Sequence, residues 1–260
     1  MRLPWRDEPE AGRTASAYYR TALRGWRAGI RLPLLIAVAL ALALSIPVWR
    51  FFPHGQFFAG MIIGGAWGMI VWVWDDPPEF IAKWNRGAQG ERRTERVLAR
   101  LEQHGWHTVH DRAGKYGNLD HIAVGHGGIF LLDSKNLFGT VALEEGGLTT
   151  TYADSPNDGF TNTRLAGAMR GRSVYLKERI TETTGLTYRV RAVVVIWGHF
   201  PEGEAERDNV AYVCGDQLAA WLSRQPTRLS PRDQQLIRLA LDAEVVVPRA
   251  TPLTVAAEPK

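Results

Sequence analysis

A chain of 260 residues has room for one fair-sized domain and additions to it. Its 45% hydrophobic content and ten Trp exclude a disordered chain, and a single cysteine, Cys214, excludes an intrachain disulfide framework and suits a reducing compartment. The net charge of +4 is too mild to require or exclude a polyanionic partner, so the placement of charge carries the argument.

Residues 1–30 form a basic segment, and Ala15 to Gly29 suits either an amphipathic helix on anionic lipid or an unstructured basic tail. Leu32 to Trp49 then carries no charge; at about 1.5 Å per residue it reaches roughly 27 Å, close to the hydrocarbon thickness of a bilayer. Phe57 to Trp74 is a second such run, and only Arg50 to Gln56 separates them. Residues 31–74 are therefore expected as a transmembrane helical hairpin with spans at 32–49 and 57–74. Gly60, Gly64, Gly65 and Gly68 predict a small-residue face that lets the second helix approach the first, and Trp49, Trp72 and Trp74 fall where aromatic rings favour the interface. Arg13, Arg20, Arg24, Arg27 and Arg31 precede the first span while the loop holds Arg50 alone, which places both termini on the cytoplasmic side. The expected location is a membrane, read as the bacterial cytoplasmic membrane. Residues 75–86, with Asp75-Asp-Pro-Pro-Glu79, read as a linker because consecutive prolines cannot continue a helix.

Ala88 to about His104 has helical periodicity, with Val97, Leu98 and Leu101 on one face and Arg92, Arg93, Arg96 and Arg100 on the other. Glu91 falls at the edge of the apolar face, where a carboxylate needs a partner such as a metal or a lysine. It equally suits a helix N-terminus. The arginine stripe reads as a solvated face or as a phosphate-contact surface. Trp106 to Asp111 is a short strand. Five of the seven histidines lie between His104 and His126, but His107 and His110 on a strand face opposite ways and nothing has the spacing of a zinc site.

Asn118 to Asn136 reads as two apolar strands joined by a turn rich in Gly125, Gly127 and Gly128. That hairpin brings Asp120 and Asp133 to the same end of the sheet, and Lys135, two residues on, shares the face of Asp133. Two carboxylates suit Mg²⁺, which takes one or two protein carboxylates and keeps several waters. The bland alternative for Asp133-Ser-Lys-Asn136 is a polar turn after a buried strand. His121, next to Asp120, points to the other sheet face.

Beyond Asn136, Gly139 to Glu144 and Leu148 to Tyr152 form a hairpin around Gly146-Gly147. Phe160 to Ile180 is expected as a helix with Leu165, Met169, Leu176 and Ile180 inward and Arg164, Arg170, Arg172 and Lys177 beside them. Arg189 to Trp197 is a buried strand, Asn209 to Cys214 another. Asp216 is expected to cap a helix to about Ser223, and Ser230-Pro231 to open the last one. Residues 248–260 read as a flexible tail.

Gly90-Glu91, Asn118-x-Asp120-His121, and Gly128-Ile-Phe-Leu-Leu-Asp-Ser-Lys-Asn136 followed by Gly139 together resemble the nuclease-related domain (NERD), a branch of the PD-(D/E)xK nuclease superfamily. The resemblance covers roughly residues 87 to 200. It implies an α/β (α+β) fold: a restriction-endonuclease-like mixed β-sheet flanked by helices, here within 87–247 and preceded by the two transmembrane helices. It also implies that Glu91, Asp120, Asp133 and Lys135 occupy catalytic positions. Asp133 stands where Glu is usual, and Ser155 to Arg164 lacks the Asn-Pro and downstream Gln expected there.

The function so implied is Mg²⁺- or Mn²⁺-dependent phosphodiester hydrolysis of nucleic acid, DNA ahead of RNA, by a membrane-anchored, cytosol-facing protein. Asp120, Asp133 and Glu91 are the expected metal ligands, with the Ser134 backbone carbonyl, and Arg92, Arg93, Arg96, Asn136 and Arg164 the expected nucleic-acid contacts. The alternative is a catalytically weakened, membrane-tethered module of the same fold that binds nucleic acid or protein.

Overall fold

The computed structural model describes residues 11–152 and 155–249. Among these, residues 17–85 form one compact unit, and residues 11–16 with 86–249 form another.

The first unit is built on α1 (Arg13–Phe51) and α2 (Gly55–Asp75). Both are long and apolar enough to cross a membrane. Leu35 and Trp67 each expose about two thirds of their surface (66% and 68%), which a helix in the core of a soluble protein would bury. The stretch from Ala15 to Gly29 is helical and continuous with the first span. The helices meet through Ala41 and Ser45 on α1 and Gly55 and Ala59 on α2, the buried residues of this pair. The glycine face expected at 60, 64, 65 and 68 is not the contact: a Cβ added at any of the four would meet nothing within 4 Å. The turn decides this, because Gly55 packs on the Val48 and Trp49 carbonyls and so sets which side of α2 faces α1. Near the other end of the hairpin the Arg27 guanidinium lies 5.0 Å from the Trp74 ring centroid.

α3 runs from Glu79 to Glu102, so the helix begins within the stretch expected as linker, and Gly90-Glu91 sits in its middle rather than opening it. Pro77 and Pro78 only precede its start, where missing N–H groups go unused.

The second unit holds an eight-stranded mixed sheet in the order β1-β2-β3-β6-β8-β7, with β4 pairing β3 and β5 pairing β4. The strands are β1 (His107–Arg112), β2 (Leu119–Gly125), β3 (Gly128–Glu144), β4 (Gly147–Tyr152), β5 (Ser155–Asn162), β6 (Val190–His199), β7 (Glu204–Arg207) and β8 (Val210–Cys214). β2 and β3 form the predicted antiparallel hairpin, and β6 and β8 add parallel to β3 in turn. β3 is one 17-residue strand; it does not end at Asn136, because a register shift between Asn136 and Thr140 is absorbed around Gly139 (φ +86°). Phe160 lies in β5, not in a helix, and is 63% exposed, so it adds nothing to a helical core face. α4 is Leu165–Thr184, ended by Gly185 at φ +72° donating to the Thr181 carbonyl.

Period-two alternation divides the core. Ile122, Ile129, Leu131 and Val194 face Met169, Leu176 and Ile180 of α4, with Ile237 and Leu241 of α6 (Pro231–Asp242) in the same cluster. Ala123, Phe130, Leu132 and Val193 face Leu98 and Leu101 of α3 and Leu218 and Trp221 of α5 (Leu218–Ser223). Ser230 caps α6 as expected, accepting from the Asp233 amide at 3.1 Å. Asp216 caps nothing; it lies in a 3₁₀ turn, Gly215–Gln217, that precedes α5. Pro248 and Arg249, expected as the start of a flexible tail, are tied to the fold: the Ala113 amide donates to the Pro248 carbonyl at 2.8 Å and Arg249 bridges Arg112.

Candidate active site

The hairpin register pairs His121 with Leu132, and the next pair along is Asp120 with Asp133. The two carboxyl groups are close enough that Asp133 raises the hold of Asp120 on its proton. Asp133 is buried (4% exposed), on the central strand between β2 and β6. Lys135 lies on its face as expected, with Nζ 2.6 Å from Asp133 Oδ2. The pair is ionic rather than a well-aligned hydrogen bond, since Oδ2 has no donor in hydrogen-bonding geometry. Arg172 of α4 approaches the other oxygen, Nη1 to Oδ1 at 3.5 Å, and its Nε donates to the Tyr116 carbonyl at 3.3 Å.

Glu91 joins the group because α3 comes very close to β3 at Gly90, where a Cβ would sit 3.0 Å from that of Asn136. Only a residue without a side chain lets the helix approach so near. The Asn136 amide meanwhile donates to the Arg86 carbonyl at 3.0 Å.

The acids differ sharply in how they hold charge. Burial pushes Glu91 up to about 7, aided by Asp111 and Asp133 and opposed by the Gly12 amide and Lys135. Burial also drives Asp120 well above the ordinary carboxylate range, with Asp133 and Glu91 adding to it. Burial works against the charge of Asp133 too, but Lys135 and Arg172 outweigh it and hold that carboxyl low. Burial alone would discharge Lys135, yet Asp133 and Asp120 keep it charged. Three crowded carboxylates thus have only Lys135 and Arg172 to balance them, and Asp120 and Glu91 hold their protons more tightly than ordinary carboxyls.

The opposite face of the same strands carries a neutral hydrogen-bonded chain. His110 Nδ1 meets His121 Nδ1 at 2.8 Å, His121 Nε2 meets Ser134 Oγ at 3.1 Å, and Ser134 Oγ meets Thr94 Oγ1 at 2.7 Å. Trp197 Nε1 donates to Thr94 Oγ1 at 2.9 Å. The Ser134 amide crosses to the acid side, donating to Asp120 Oδ2 at 3.3 Å. His121 therefore faces away from the acids, as its place beside Asp120 predicts.

Four contributors escaped sequence reasoning. Arg172 was visible only as one charge among several on α4. Asp111, at φ +47°, accepts from the Thr14 amide and hydroxyl and from Asn118 Nδ2, so the Asn of the motif anchors Asp111 rather than the acids. Gly12 and Thr94 had no signal. The expected nucleic-acid contacts are scattered: Arg92 binds Ser16, Arg93 stacks over Trp197, Arg96 bonds the Arg92 carbonyl, and Arg164 precedes α4. His107 pairs with Asp242 and takes no part.

Among the described residues no group of three or more His, Cys, Asp or Glu side chains is arranged to hold a metal ion. A hydrated Mg²⁺ asks for less, one or two carboxylates with water, and Asp120 with Asp133 meets that demand.

Residues 86–197 match the family model of the nuclease-related domain, NERD. The chain matches no curated protein and no solved structure. The matched stretch contains Glu91, Asp120, Asp133, Lys135 and Arg172, so the charged side chains of the acid pocket lie within the part of this chain that is similar to a nuclease-related domain.

Proposed function

We propose that this domain hydrolyses phosphodiester bonds of nucleic acid, DNA ahead of RNA, with Mg²⁺ or Mn²⁺ held by Asp120 and Asp133. The observation that carries the reading is the half-buried Asp120 beside the buried Asp133, with Lys135 Nζ 2.6 Å from Asp133 Oδ2. Glu91 and the Ser134 carbonyl complete the ligand set. The ion when bound supplies Lewis acidity and a hydroxide at neutral pH. Lys135, kept charged by its acidic neighbours, orients the attacking water and offsets charge gathering on the phosphate. Arg172, fixed by the Tyr116 carbonyl, steadies Asp133 from the other side. Burial of the pocket keeps these charges at low dielectric, where each acts more strongly than in water. The two apolar helices anchor the domain in a bacterial cytoplasmic membrane with both termini cytoplasmic, the side that carries nucleic acid. The organisation we assign is a basic segment 1–30, a hairpin 31–74, a linking stretch 75–86, the nuclease-like domain 87–247 and a tail 248–260.

The test is cleavage of DNA and RNA by the purified full chain with Mg²⁺ or Mn²⁺, before and after Asp133→Ala and Lys135→Ala. Cutting that survives either change unaltered sinks the catalytic reading.

One observation favours a second reading, a tethered module that binds without cutting: Lys135 and Arg172 both already contact Asp133. Binding of nucleic acid that falls steeply with salt, needs no divalent ion and leads to no cleavage distinguishes it.

A further inference from the structure

Along the outward side of α4, and past its C-terminal end to the start of β3 and β6, lie three concave surfaces apart from the acid pocket. The first, about 660 Å³, is lined by Lys115, Tyr116, Arg170 and Tyr175 among others. The second, about 310 Å³, shares Arg170 and Val174 with it and adds Lys177 and Arg189. The third, about 150 Å³, shares Arg189 and adds Arg191 and Arg228 beside Gly127 and Gly128. The first two share a wall on α4, and the third adjoins the second at Arg189, so the three together are taken as one groove.

Seven cationic side chains line this groove against two acidic ones, Glu178 and Glu182. Arg179 is matched by Glu182, Arg170 by Asp208 and Arg191 by Glu206. Lys115, Lys177, Arg189 and Arg228 have no acidic partner among the described residues. At the Lys115 end, Tyr116 is 57% exposed and its ring stands edge-on to that of Tyr175 at 6.5 Å. Lys115 Nζ stands 5.4 Å from the centre of the Tyr116 ring and Arg189 donates to Asn209 Oδ1. Cations without acidic partners beside an exposed aromatic ring are nonetheless the features that bind single-stranded nucleic acid, phosphates on the charges and bases on the rings. An exposed ring at the edge of these recesses can stack a base only where that base is unpaired, which favours a single strand over a double helix. Their concavity also disfavours a bilayer surface, which is flat.

The groove is tied to the acids through Arg172. That side chain springs from α4 between Arg170 and Val174, bonds the Tyr116 carbonyl and reaches Asp133. We propose that a single-stranded nucleic-acid segment lies along α4, with a base on Tyr116 and its phosphates along Lys177, Arg189 and Arg228, and enters the acid pocket past Arg172. This rests on the reading of the domain as acting on nucleic acid, and makes its preferred substrate single-stranded.

The test is fluorescence anisotropy of a labelled single strand of about 20 nucleotides, and of the same sequence as duplex, with the full chain in phosphatidylcholine nanodiscs and EDTA. The unaltered protein is expected to bind the single strand more tightly than the duplex. Lys177→Glu with Arg189→Glu lowers single-strand affinity roughly tenfold or more and reduces the salt slope by about 1.4, roughly 0.7 for each lost phosphate contact. Tyr116→Ala lowers affinity by roughly tenfold with the salt slope unchanged, because stacking releases no counterions. Lys177→Gln with Arg189→Gln, a milder pair, moves affinity the same way. The proposal is overturned by unchanged affinity in these variants, by equal affinity for single strand and duplex, or by loss of binding to added phosphatidylglycerol vesicles with strand binding intact. Because EDTA prevents metal-dependent cutting, binding that behaves as expected in a protein that never cuts removes the hydrolytic reading and leaves the groove. Cutting with variant-insensitive binding removes the groove alone.

Discussion

Asp133 and Ser134 are consecutive residues of one strand, yet they sit in opposite kinds of chemistry. On the Asp133 side, carboxylates crowd together and are balanced only in part by Lys135 and Arg172. On the Ser134 side, His110, His121, Ser134, Thr94 and Trp197 satisfy one another without charge. Alternation along a strand lets a sheet keep a strained, charged face on a settled, neutral one. The charged face is the one with work left for a ligand.

The largest expected effect breaks the charged face alone. Lys135→Ala should slow cleavage by roughly 10²–10⁴-fold, as loss of a group that positions or moves a proton does. Thermal unfolding measured alongside should barely shift, whereas collapse of the fold would assign Lys135 to stability instead.

The neutral face should reveal itself through pH. Burial lowers His110 to about 4, with Arg112 and His107 contributing, so the fold refuses a proton that the unfolded chain accepts below about 6.5. The native state then binds fewer protons across that interval. Stability is complete above about 6.5 and declines as pH falls toward 4, by about 3 kcal/mol in all. Urea unfolding at several pH values measures the decline, and His110→Gln should flatten it. A slope unaltered by that change would assign the acid sensitivity to other groups.

Thr94→Val sharpens the contrast further. Thr94 is fully buried and its hydroxyl serves both Ser134 and Trp197, so its loss should destabilise the fold by about 1–3 kcal/mol while cleavage continues. Cleavage that fell as steeply as with Lys135→Ala would show that the two faces act as one.

A smaller loss of stability than that of Thr94→Val is expected where the faces are brought into register. Gly90→Val forces a side chain against Asn136 and adds a β-branched residue to α3, costing about 1–2 kcal/mol in overpacking. Its signature is a loss of cleavage larger than that cost explains, because Glu91 is displaced with the helix. Equal losses in both would mean that Glu91 is dispensable.

Much of this arrangement was legible in the residue order. The apolar run Ile129 to Leu132, with a glycine turn before it, announces a strand and its partner, and the period of two along a strand announces the face shared by Asp133 and Lys135. The charge-free runs at 32–49 and 57–74 announce two helices in the same way, through length and composition. Local rules failed where a neighbour overrode them. Asn136 reads as a strand end, but pairing with β6 carries β3 onward past Gly139. The prolines before Glu79 read as a linker, but they merely precede a helix that nothing interrupts until Glu102.

What the sequence determined alone is therefore everything with a short period: the two apolar helices, the β2–β3 hairpin, and the placing of Asp120, Asp133 and Lys135 on one face. What only the tertiary structure decided is which distant groups close on that face. Arg172 comes from a helix 39 positions downstream, Glu91 depends on a close approach permitted at Gly90, and Gly12 reaches Glu91 from before the first helix. Periodicity is a property of neighbours along the chain, whereas charge balance in a buried pocket depends on packing that no local pattern encodes.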